Sequence, residues 1–292
     1  MEKKTGIGKA HSKIILMGEH SVVYGHPAIA LPLKNIEVTC RITAGDETLK
    51  FDMTDPLATA IFAALEYLGQ EDAQLTYLVD SQVPQRRGMG SSAAVAIAAI
   101  RAVFDYFDQD LTADLLENLV NQAEMIAHSN PSGLDAKTCL SDRPIKFIRN
   151  LGFASLTMNL DACLVIADTG IHGHTSEAVD KVRKSGQTAL PLLKNLGELA
   201  LEAEKAIEQA DLQALGNAMS QAHGLLARLG VSCPEADHLV QVARSAGALG
   251  AKMSGGGLGG CIIALVKTSE EAERLIQKLK EEGAINTWTE KL

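Results

Sequence analysis

Residues 88–92 place two glycines and two hydroxyls at the start of an alanine-rich run. Gly88 and Gly90 flank a methionine, and Ser91 and Ser92 follow directly. A glycine turn that opens into a helix directs free backbone N–H groups and the positive end of the helix dipole at one point. Such a point suits a phosphate, and the hydroxyls suit a phosphate oxygen or a divalent cation. The alternative is an ordinary serine-capped turn, and no Gly-Lys-Ser/Thr follows to make it a P-loop.

Two acidic residues in the middle of the chain could act with such a phosphate site. Residues 112–128 show helical spacing, and Glu124 falls four residues after Val120 on the apolar stripe. A carboxylate there costs free energy unless it is paired or bound to a metal, although a glutamate at the edge of the stripe could reach solvent. Asp135 follows a turn predicted at residues 130–133, and it would either cap the next helix or take part in chemistry. The chemical role requires Glu124 and the serine turn to lie close to Asp135.

Two further segments carry residues suited to ligand binding. A short apolar strand is predicted over 13–17, and Glu19 and His20 follow the glycine that ends it. Ionisable side chains at a chain reversal are well placed to meet a ligand, although a lone histidine is more often a structural hydrogen-bonding residue. Five glycines lie within residues 255–260. Because each glycine loses much conformational entropy on folding, so many of them indicate a wall that a ligand approaches closely.

The elements that must position these residues are a mixture of strands and helices, which predicts the α+β class. Strands are predicted over 13–17, 36–42, 75–79, 145–149, 153–158, 163–167, 261–266 and 284–289. Helices are predicted over 56–68 and 112–128, after the turn at 88–92, near Thr175, from Pro191, from Asp211 and after a capping box at Thr268. A helix pair followed by strand–helix–strand predicts a split βαβ (ferredoxin-like) lobe at the C-terminus. The expected division is an N-terminal mixed-sheet lobe over 1–155 and a C-terminal lobe over 156–292.

Composition and charge limit the partners that we expect. The 292 residues are 46% hydrophobic and 22% charged, which is typical of a globular protein. A formal net charge of -9 argues against binding a nucleic acid. The five cysteines form no CxxC pair, which predicts reduced thiols in the cytoplasm and neither a zinc site nor a disulfide framework. No signal-like or membrane-spanning apolar run is present, so we expect no membrane partner.

Four segments, taken together, resemble the GHMP kinase superfamily. They are KIILMGEHSVVYG (13–25), PQRRGMGSSAAV (84–95), EMIAHSNPSGLDAKT (124–138) and KMSGGGLGGC (252–261). Within the superfamily, segment 124–138 is similar to that of mevalonate kinases, whereas homoserine kinases and galactokinases differ there. The matches run in order over nearly the whole chain. The resemblance implies the two-lobed GHMP kinase fold, with the glycine-loop and helix phosphate site in the N-terminal lobe.

The resemblance also implies a reaction, the ATP- and Mg²⁺-dependent phosphorylation of the C5 hydroxyl of mevalonate to 5-phosphomevalonate. Residues implied to bind ATP phosphates are Gly88, Met89, Gly90, Ser91, Ser92 and Ala93. Ser92 and Glu124 would hold Mg²⁺. Asp135 would take, or orient, the proton of the C5 hydroxyl, with Lys13 beside it. Residues implied to contact the substrate are Glu19, His20, Thr175 and Gly256.

The chain departs from the family pattern at three places, one of which is Leu258, which interrupts the third glycine run. Residues 10–12 read Ala-His-Ser where Ala-Pro-Gly is usual before Lys13. Arg86 and Arg87 stand where small residues are common. The two arginines either support the triphosphate or are solvated, and we favour solvation.

Two other functions stay open at this point. One is another GHMP small-molecule kinase, such as phosphomevalonate kinase or homoserine kinase. The other is a non-catalytic nucleotide-binding sensor, although such a protein has no need of Asp135. The oligomeric state cannot be read from the sequence, and a homodimer is one candidate.

Overall fold

A computed structural model of the chain describes residues 4–49, 52, 55–127 and 133–292. The strands are β1 (Thr5–Met17), β2 (Ala28–Thr48), β3 (Gln74–Ser81), β4 (Ile145–Ile148), β5 (Gly152–Ser155), β6 (Cys163–Asp168), β7 (Gly250–Ser254), β8 (Cys261–Val266) and β9 (Asn286–Lys291). The α-helices are α1 (Pro56–Leu68), α2 (Ser91–Tyr106), α3 (Ala113–Ala127), α4 (Leu134–Leu140), α5 (Thr175–Lys184), α6 (Leu190–Glu208), α7 (Leu212–Arg228), α8 (Pro234–Ser245) and α9 (Ser269–Glu281). The α+β class is confirmed.

The chain forms two compact units. Unit 1 comprises Met1–Lys13, Pro32–Gln85 and Gly90–Asp142, and unit 2 comprises Ile14–Leu31, Arg86–Met89 and Arg143–Leu292. The chain therefore passes between the units within β1, within β2, in the glycine turn and after α4. The lobe boundary predicted after residue 155 stays a prediction.

Unit 1 contains helices α1 to α4 and a strand pair. The later part of β2 pairs antiparallel with β3, with Val38 opposite Ser81. Helix α1 begins at Pro56, and its N-cap Asp55 accepts a hydrogen bond from the Leu57 N–H at 3.2 Å. Helix α2 is alanine-rich and buried along most of its length, which lets neighbouring backbone approach it closely.

The predicted start of the first strand was wrong. β1 begins at Thr5 rather than at residue 13, because Gly6 and Gly8 face α2. A Cβ atom at Gly8 would lie 2.8 Å from the Arg101 Cβ, so only glycine allows this approach. Glycine has a low β-propensity, so the residue propensities of this segment do not predict a strand.

Unit 2 contains a four-stranded sheet with the order β7-β8-β6-β9, in which neighbouring strands are antiparallel. β8 and β9 therefore lie on either side of β6 and are joined by α9, which confirms the predicted split βαβ arrangement. The side chain of Thr268 caps α9 by accepting from the Glu271 N–H, and the Glu271 carboxylate accepts from the Lys267 N–H. This reciprocal pair closely follows the predicted capping box.

The remaining elements of unit 2 include one confirmed hairpin and one helix that the sequence analysis missed. β4 and β5 pair antiparallel about Asn150, as predicted, and the first residues of β2 pair with β4. Helix α8 was not predicted, although Pro234 in its first turn is a recognised start signal. Among the described residues, no helix is long and apolar enough to cross a membrane. Residues 130–132 of the predicted turn lie outside the described part of the chain.

Candidate active site

A lysine and an aspartate of unit 1 form the first part of the candidate site. Lys13, near the end of β1, places its Nζ 2.7 Å from Asp135 Oδ1. The Lys13 side chain is only 2% exposed, whereas that of Asp135 is 44% exposed. Asp135 lies in the first turn of α4, whose N-cap is Gly133, and no side chain caps that helix. The capping alternative for Asp135 is therefore wrong, and its carboxylate is open both to Lys13 and to solvent.

The position of the Lys13 side chain requires a glycine at position 90. Gly90 is the N-cap of α2 and has a φ of 70°, in the left-handed region. A Cβ atom here would lie 2.8 Å from Lys13 Cγ and 3.1 Å from Cys139 Sγ, so any side chain at position 90 would displace the lysine stem. The glycine turn thus has two functions, since it starts α2 and leaves room for Lys13.

Ser92 and Glu124 form the second part of the site, also in unit 1. The Ser92 hydroxyl, in the first turn of α2, donates to Glu124 Oε1 at 2.9 Å. Glu124 lies on α3 and is 6% exposed, so the alternative in which it reaches solvent is wrong. A hydroxyl and a carboxylate are oxygen ligands of the kind that Mg²⁺ accepts when phosphates supply others. Among the described residues, no group of three or more His, Cys, Asp or Glu side chains could hold a metal ion.

Three charges of the site act on the buried thiol of Cys139. Burial raises the pKa of the Cys139 thiol, and the charges of Asp135 and Glu124 raise it further while Lys13 lowers it. Three charged side chains from β1, α3 and α4 therefore act on one sulfur atom of α4. The predicted chemical role requires Lys13, Ser92, Glu124 and Asp135 to converge, and unit 1 contains both the Lys13–Asp135 and the Ser92–Glu124 pair.

A second cluster lies in unit 2 and contains the four residues implied to contact substrate. Glu19, just after β1, forms a buried ion pair with Lys252 of β7. His20 has a φ of 61°, and the Gly256 backbone is among the groups that act on the pKa of its ring, which burial lowers. Gly256 lies directly against Thr175 at the start of α5, where a side chain at position 256 would collide with the threonine. Glu19, His20, Thr175 and Gly256 are thus neighbours within unit 2.

The glycines of the 255–260 loop are explained by contacts within unit 2. A Cβ at Gly255 would lie 2.7 Å from the Gly88 Cα, and one at Gly260 would lie 3.0 Å from the Arg87 carbonyl oxygen. The loop therefore packs backbone against backbone on the start of the phosphate turn. Close packing within unit 2 therefore accounts for glycine at these two positions, and the ligand wall stays a prediction.

Family models and known proteins resemble this chain. Two family models match the chain, "GHMP kinases N terminal domain" over residues 57–143 and "GHMP kinases C terminal" over residues 203–285. The mevalonate kinase of Aeropyrum pernix is 32% identical over an alignment covering 97% of this chain and 94% of that protein. That of Thermococcus sibiricus is 34% identical, with 91% of each chain covered. The crystal structure of L. major mevalonate kinase in complex with R-mevalonate superposes with a TM-score of 0.88 at 29% identity, covering 99% of this chain and 97% of that one.

The chain belongs to the mevalonate kinase family. Membership accounts for the two-lobed GHMP kinase fold, and ATP is the co-substrate that a kinase of this family uses. The comparisons concern whole chains, so the roles of single residues depend on the site geometry described above.

Two side chains of this mevalonate kinase family member were misjudged or missed from the sequence. Arg87 is buried rather than solvated, with its Nε 2.7 Å from Asp168 Oδ1 and its guanidinium also bonded to the Gly170 carbonyl and the His172 ring. Arg86 is exposed, as favoured. Lys252 was given no role, although a lysine on an otherwise apolar strand before a glycine-rich loop was a usable signal.

Proposed function

We propose that the chain transfers the γ-phosphoryl group of ATP to the C5 hydroxyl of mevalonate and so forms 5-phosphomevalonate. The observation that carries the proposal is the Lys13–Asp135 pair, which shares unit 1 with the Ser92–Glu124 pair and with the N-terminus of α2. An acid–base residue beside a buried cation, near a phosphate-type helix start, suits phosphoryl transfer to an alcohol. The names of the relatives, and the R-mevalonate bound to the L. major enzyme, support mevalonate as that alcohol.

The glycine turn and the start of α2 are assigned to the ATP phosphates. The backbone N–H groups of Gly88, Met89, Gly90, Ser91, Ser92 and Ala93 are the proposed donors. The first N–H groups of a helix have no partner inside the helix, and the dipole adds positive potential there. Ser92 and Glu124 would hold Mg²⁺, and their hydroxyl and carboxylate oxygens fit its preference. When bound, Mg²⁺ neutralises charge on the phosphate oxygens.

Asp135 and Lys13 are assigned to the reacting groups. Lys13 binds Asp135 Oδ1, so we assign the C5 hydroxyl to Oδ2 on the partly exposed side of this carboxylate. Asp135 then aligns the hydroxyl oxygen and accepts its proton as the bond to phosphorus forms. The transition state of phosphoryl transfer is loose, so alignment matters more than the strength of the base. The buried ammonium of Lys13 lowers the cost of negative charge that develops on the transferred group.

The cluster in unit 2 is assigned to substrate recognition, through Glu19, His20, Thr175 and Gly256.

Three broader proposals concern the location of the protein, its lobes and its assembly. The protein acts in the cytoplasm, in keeping with five cysteines that are all free thiols. The functional lobes divide after residue 155, and the active assembly is a homodimer.

An assay of coupled ADP release with Mg-ATP and mevalonate tests the proposed function. Phosphomevalonate and homoserine serve as rival acceptors, and mass spectrometry of the product identifies 5-phosphomevalonate. We expect turnover with mevalonate at least about 100-fold faster than with either rival, and none when EDTA removes Mg²⁺. Preferred turnover of a rival acceptor would replace mevalonate in the proposal. Nucleotide binding without turnover of any acceptor would identify a sensor instead.

A further inference from the structure

The first half of the glycine turn, residues 86–89, belongs to unit 2 and has an irregular backbone. Residues 82–90 are all described, and they lie outside every helix and strand. Arg86 has a φ of 56° and Gly88 has a φ of 75°, so both are in the left-handed region. A non-glycine residue keeps that conformation only where its surroundings enforce it. The shape of this turn therefore depends on the groups that it contacts.

The Arg87 side chain connects this half of the turn to the loop that follows β6. Its Nε lies 2.7 Å from Asp168 Oδ1, and the two side chains are only 8% and 1% exposed. One terminal nitrogen donates to the Gly170 carbonyl oxygen at 3.2 Å, and the other donates to His172 Nδ1 at 3.0 Å. Because all three guanidinium nitrogens contact protein groups, Arg87 is placed to act on the turn rather than on a phosphate.

The Asp168 carboxylate depends on this arginine for its stability. Asp168 Oδ1 also accepts from the Gly170 N–H at 2.9 Å. Asp168 Oδ2 is buried and has no hydrogen-bond partner among the described residues. A buried carboxylate needs an opposite charge or several donors to offset its lost hydration, and Arg87 supplies the charge. A change at either residue therefore acts on both.

The loop that Arg87 contacts is itself fixed within unit 2. The Thr169 hydroxyl donates to the Gly260 carbonyl oxygen at 2.7 Å, which attaches the loop to the glycine-rich segment 255–260. The Gly173 N–H donates to the Arg86 carbonyl oxygen at 2.8 Å, next to the arginine in the turn. A contact can set the shape of a turn only when its other side does not move freely. These hydrogen bonds meet that requirement.

We infer that Arg87 is a positioning residue that, through its buried ion pair with Asp168, holds the glycine turn in the conformation that binds the phosphates of ATP. The inference rests on the proposed function, which assigns this turn to those phosphates. A guanidinium suits the task because its planar group contacts a carboxylate, a carbonyl and a ring nitrogen at once. A lysine ammonium on its flexible stem cannot keep all three contacts in place.

Two simpler roles for Arg87 predict different results. If the arginine attracts ATP through its charge, removal of the Asp168 carboxylate makes the turn more positive and strengthens ATP binding. If the pair only stabilises the fold, a change at either residue lowers the melting temperature and leaves the ATP affinity of the folded protein unchanged. A positioning role predicts weaker ATP binding in both cases, because each change breaks the same contact.

The test is a double-mutant cycle of Arg87→Met and Asp168→Ala, with the Kd for Mg-ATP and the melting temperature measured on the same preparations. We expect each single variant to raise the Kd for Mg-ATP by about 10- to 100-fold. The double variant should lose no more affinity than the weaker-binding single variant, because the ion pair can be lost only once. The KM for mevalonate at saturating ATP should change less than about 3-fold.

Two further variants separate positioning from stability. Arg87→Lys keeps a charge for Asp168, so it should recover more of the melting temperature than of the ATP affinity. Lys146→Met is the matched control, since it removes the 2.7 Å ion pair between Lys146 and Glu204 in the same unit. It should leave the Kd for Mg-ATP unchanged. If a single variant with one unpaired buried charge does not fold, the double variant has no such charge and provides the measurement.

Each outcome decides the inference. Tighter ATP binding by Asp168→Ala would overturn it in favour of a direct electrostatic role. A double variant that binds Mg-ATP as well as the natural protein does would overturn it in favour of a purely structural pair. Losses that add up in the double variant would also contradict it. If the natural protein itself does not bind Mg-ATP, the proposed function fails instead, and the two failures are therefore distinguishable.

Discussion

Replacing Asp135 with asparagine tests the phosphoryl-transfer site most directly, because it removes a charge and hardly changes the shape. The Asp135 carboxylate lies 2.7 Å from Lys13 Nζ, and the Lys13 side chain is 2% exposed. The asparagine amide oxygen can still accept from Lys13, so the buried ammonium keeps a partner and the fold should hold. Asp135→Ala removes the acceptor of Lys13. A water molecule could take its place only from the solvent-exposed side of residue 135.

The expected size of the effect differs between activity and stability. Loss of a positioned acid–base group lowers the rate by about 10²–10⁴-fold, which corresponds to about 3–5 kcal/mol in the activation free energy. Breaking a fully buried ion pair costs about 3–5 kcal/mol of stability. Asp135 is 44% exposed, so its pair with Lys13 is screened and we expect about 1 kcal/mol or less for asparagine. Alanine should cost about 1–2 kcal/mol more, because a nearly buried ammonium loses its acceptor.

The assay measures kcat by coupled ADP release and ATP binding by calorimetry on the same preparations. Asp114→Asn is the matched control, since it removes an exposed carboxylate from the first turn of α3 in the same unit. It should change neither kcat nor ATP affinity. Asp135→Asn should lose at least about 100-fold in kcat while ATP binds within about 3-fold of normal. Near-normal turnover by Asp135→Asn would remove this residue from the mechanism and refute the reasoning from its geometry.

Three further substitutions are expected to have separable effects. Gly90→Ala should lower kcat and should lower the free energy of unfolding by about 2 kcal/mol or more, because its Cβ would lie 2.8 Å from Lys13 Cγ. Gly69 has a similar φ of 62° but open space around it, so Gly69→Ala should cost only about 1 kcal/mol of backbone strain. Glu124→Gln should raise the Mg²⁺ concentration needed for half-maximal turnover by about 10-fold or more, as measured by Mg²⁺ titration at saturating substrates. His20→Gln should remove an acid-labile part of the stability, because burial lowers the pKa of His20 to about 4 and the unfolded chain binds the extra proton between about pH 4 and 6.5.

The direction in which the contribution of His20 to the free energy of unfolding changes with pH can be checked by urea denaturation at several pH values. The free energy of unfolding of the natural protein should exceed that of His20→Gln by a margin that is complete above about pH 6.5. That margin should shrink by roughly 3 kcal/mol as the pH falls towards 4. A margin that does not depend on pH would contradict the neutral buried imidazole. Equal effects of Gly90→Ala and Gly69→Ala would contradict the proposal that Gly90 leaves room for Lys13. An unchanged Mg²⁺ requirement in Glu124→Gln would contradict the assignment of Glu124 as a Mg²⁺ ligand.

Local sequence signals determined the elements and most of the unit 1 site. The Gly88–Ser92 turn predicted a helix start, and α2 begins at Ser91. A carboxylate on an apolar stripe predicted a paired Glu124, which the Ser92 hydrogen bond supplies. These predictions succeeded because capping, hydrophobic period and the cost of burying a charge act over a few residues. Helix α8 had comparable local signals that were not used.

The partners of buried charges were decided only by the tertiary structure. Lys252 and Glu19 are 233 residues apart, and Arg87 pairs with Asp168, the last residue of β6. A local pattern reports whether a residue suits a helix, a strand or a turn, but it cannot tell which distant residue will lie opposite it. Gly6 and Gly8 illustrate the same limit, because their close approach to α2 outweighs their poor strand propensity. Packing brings distant residues into contact, and in this chain it decided which buried charges are paired.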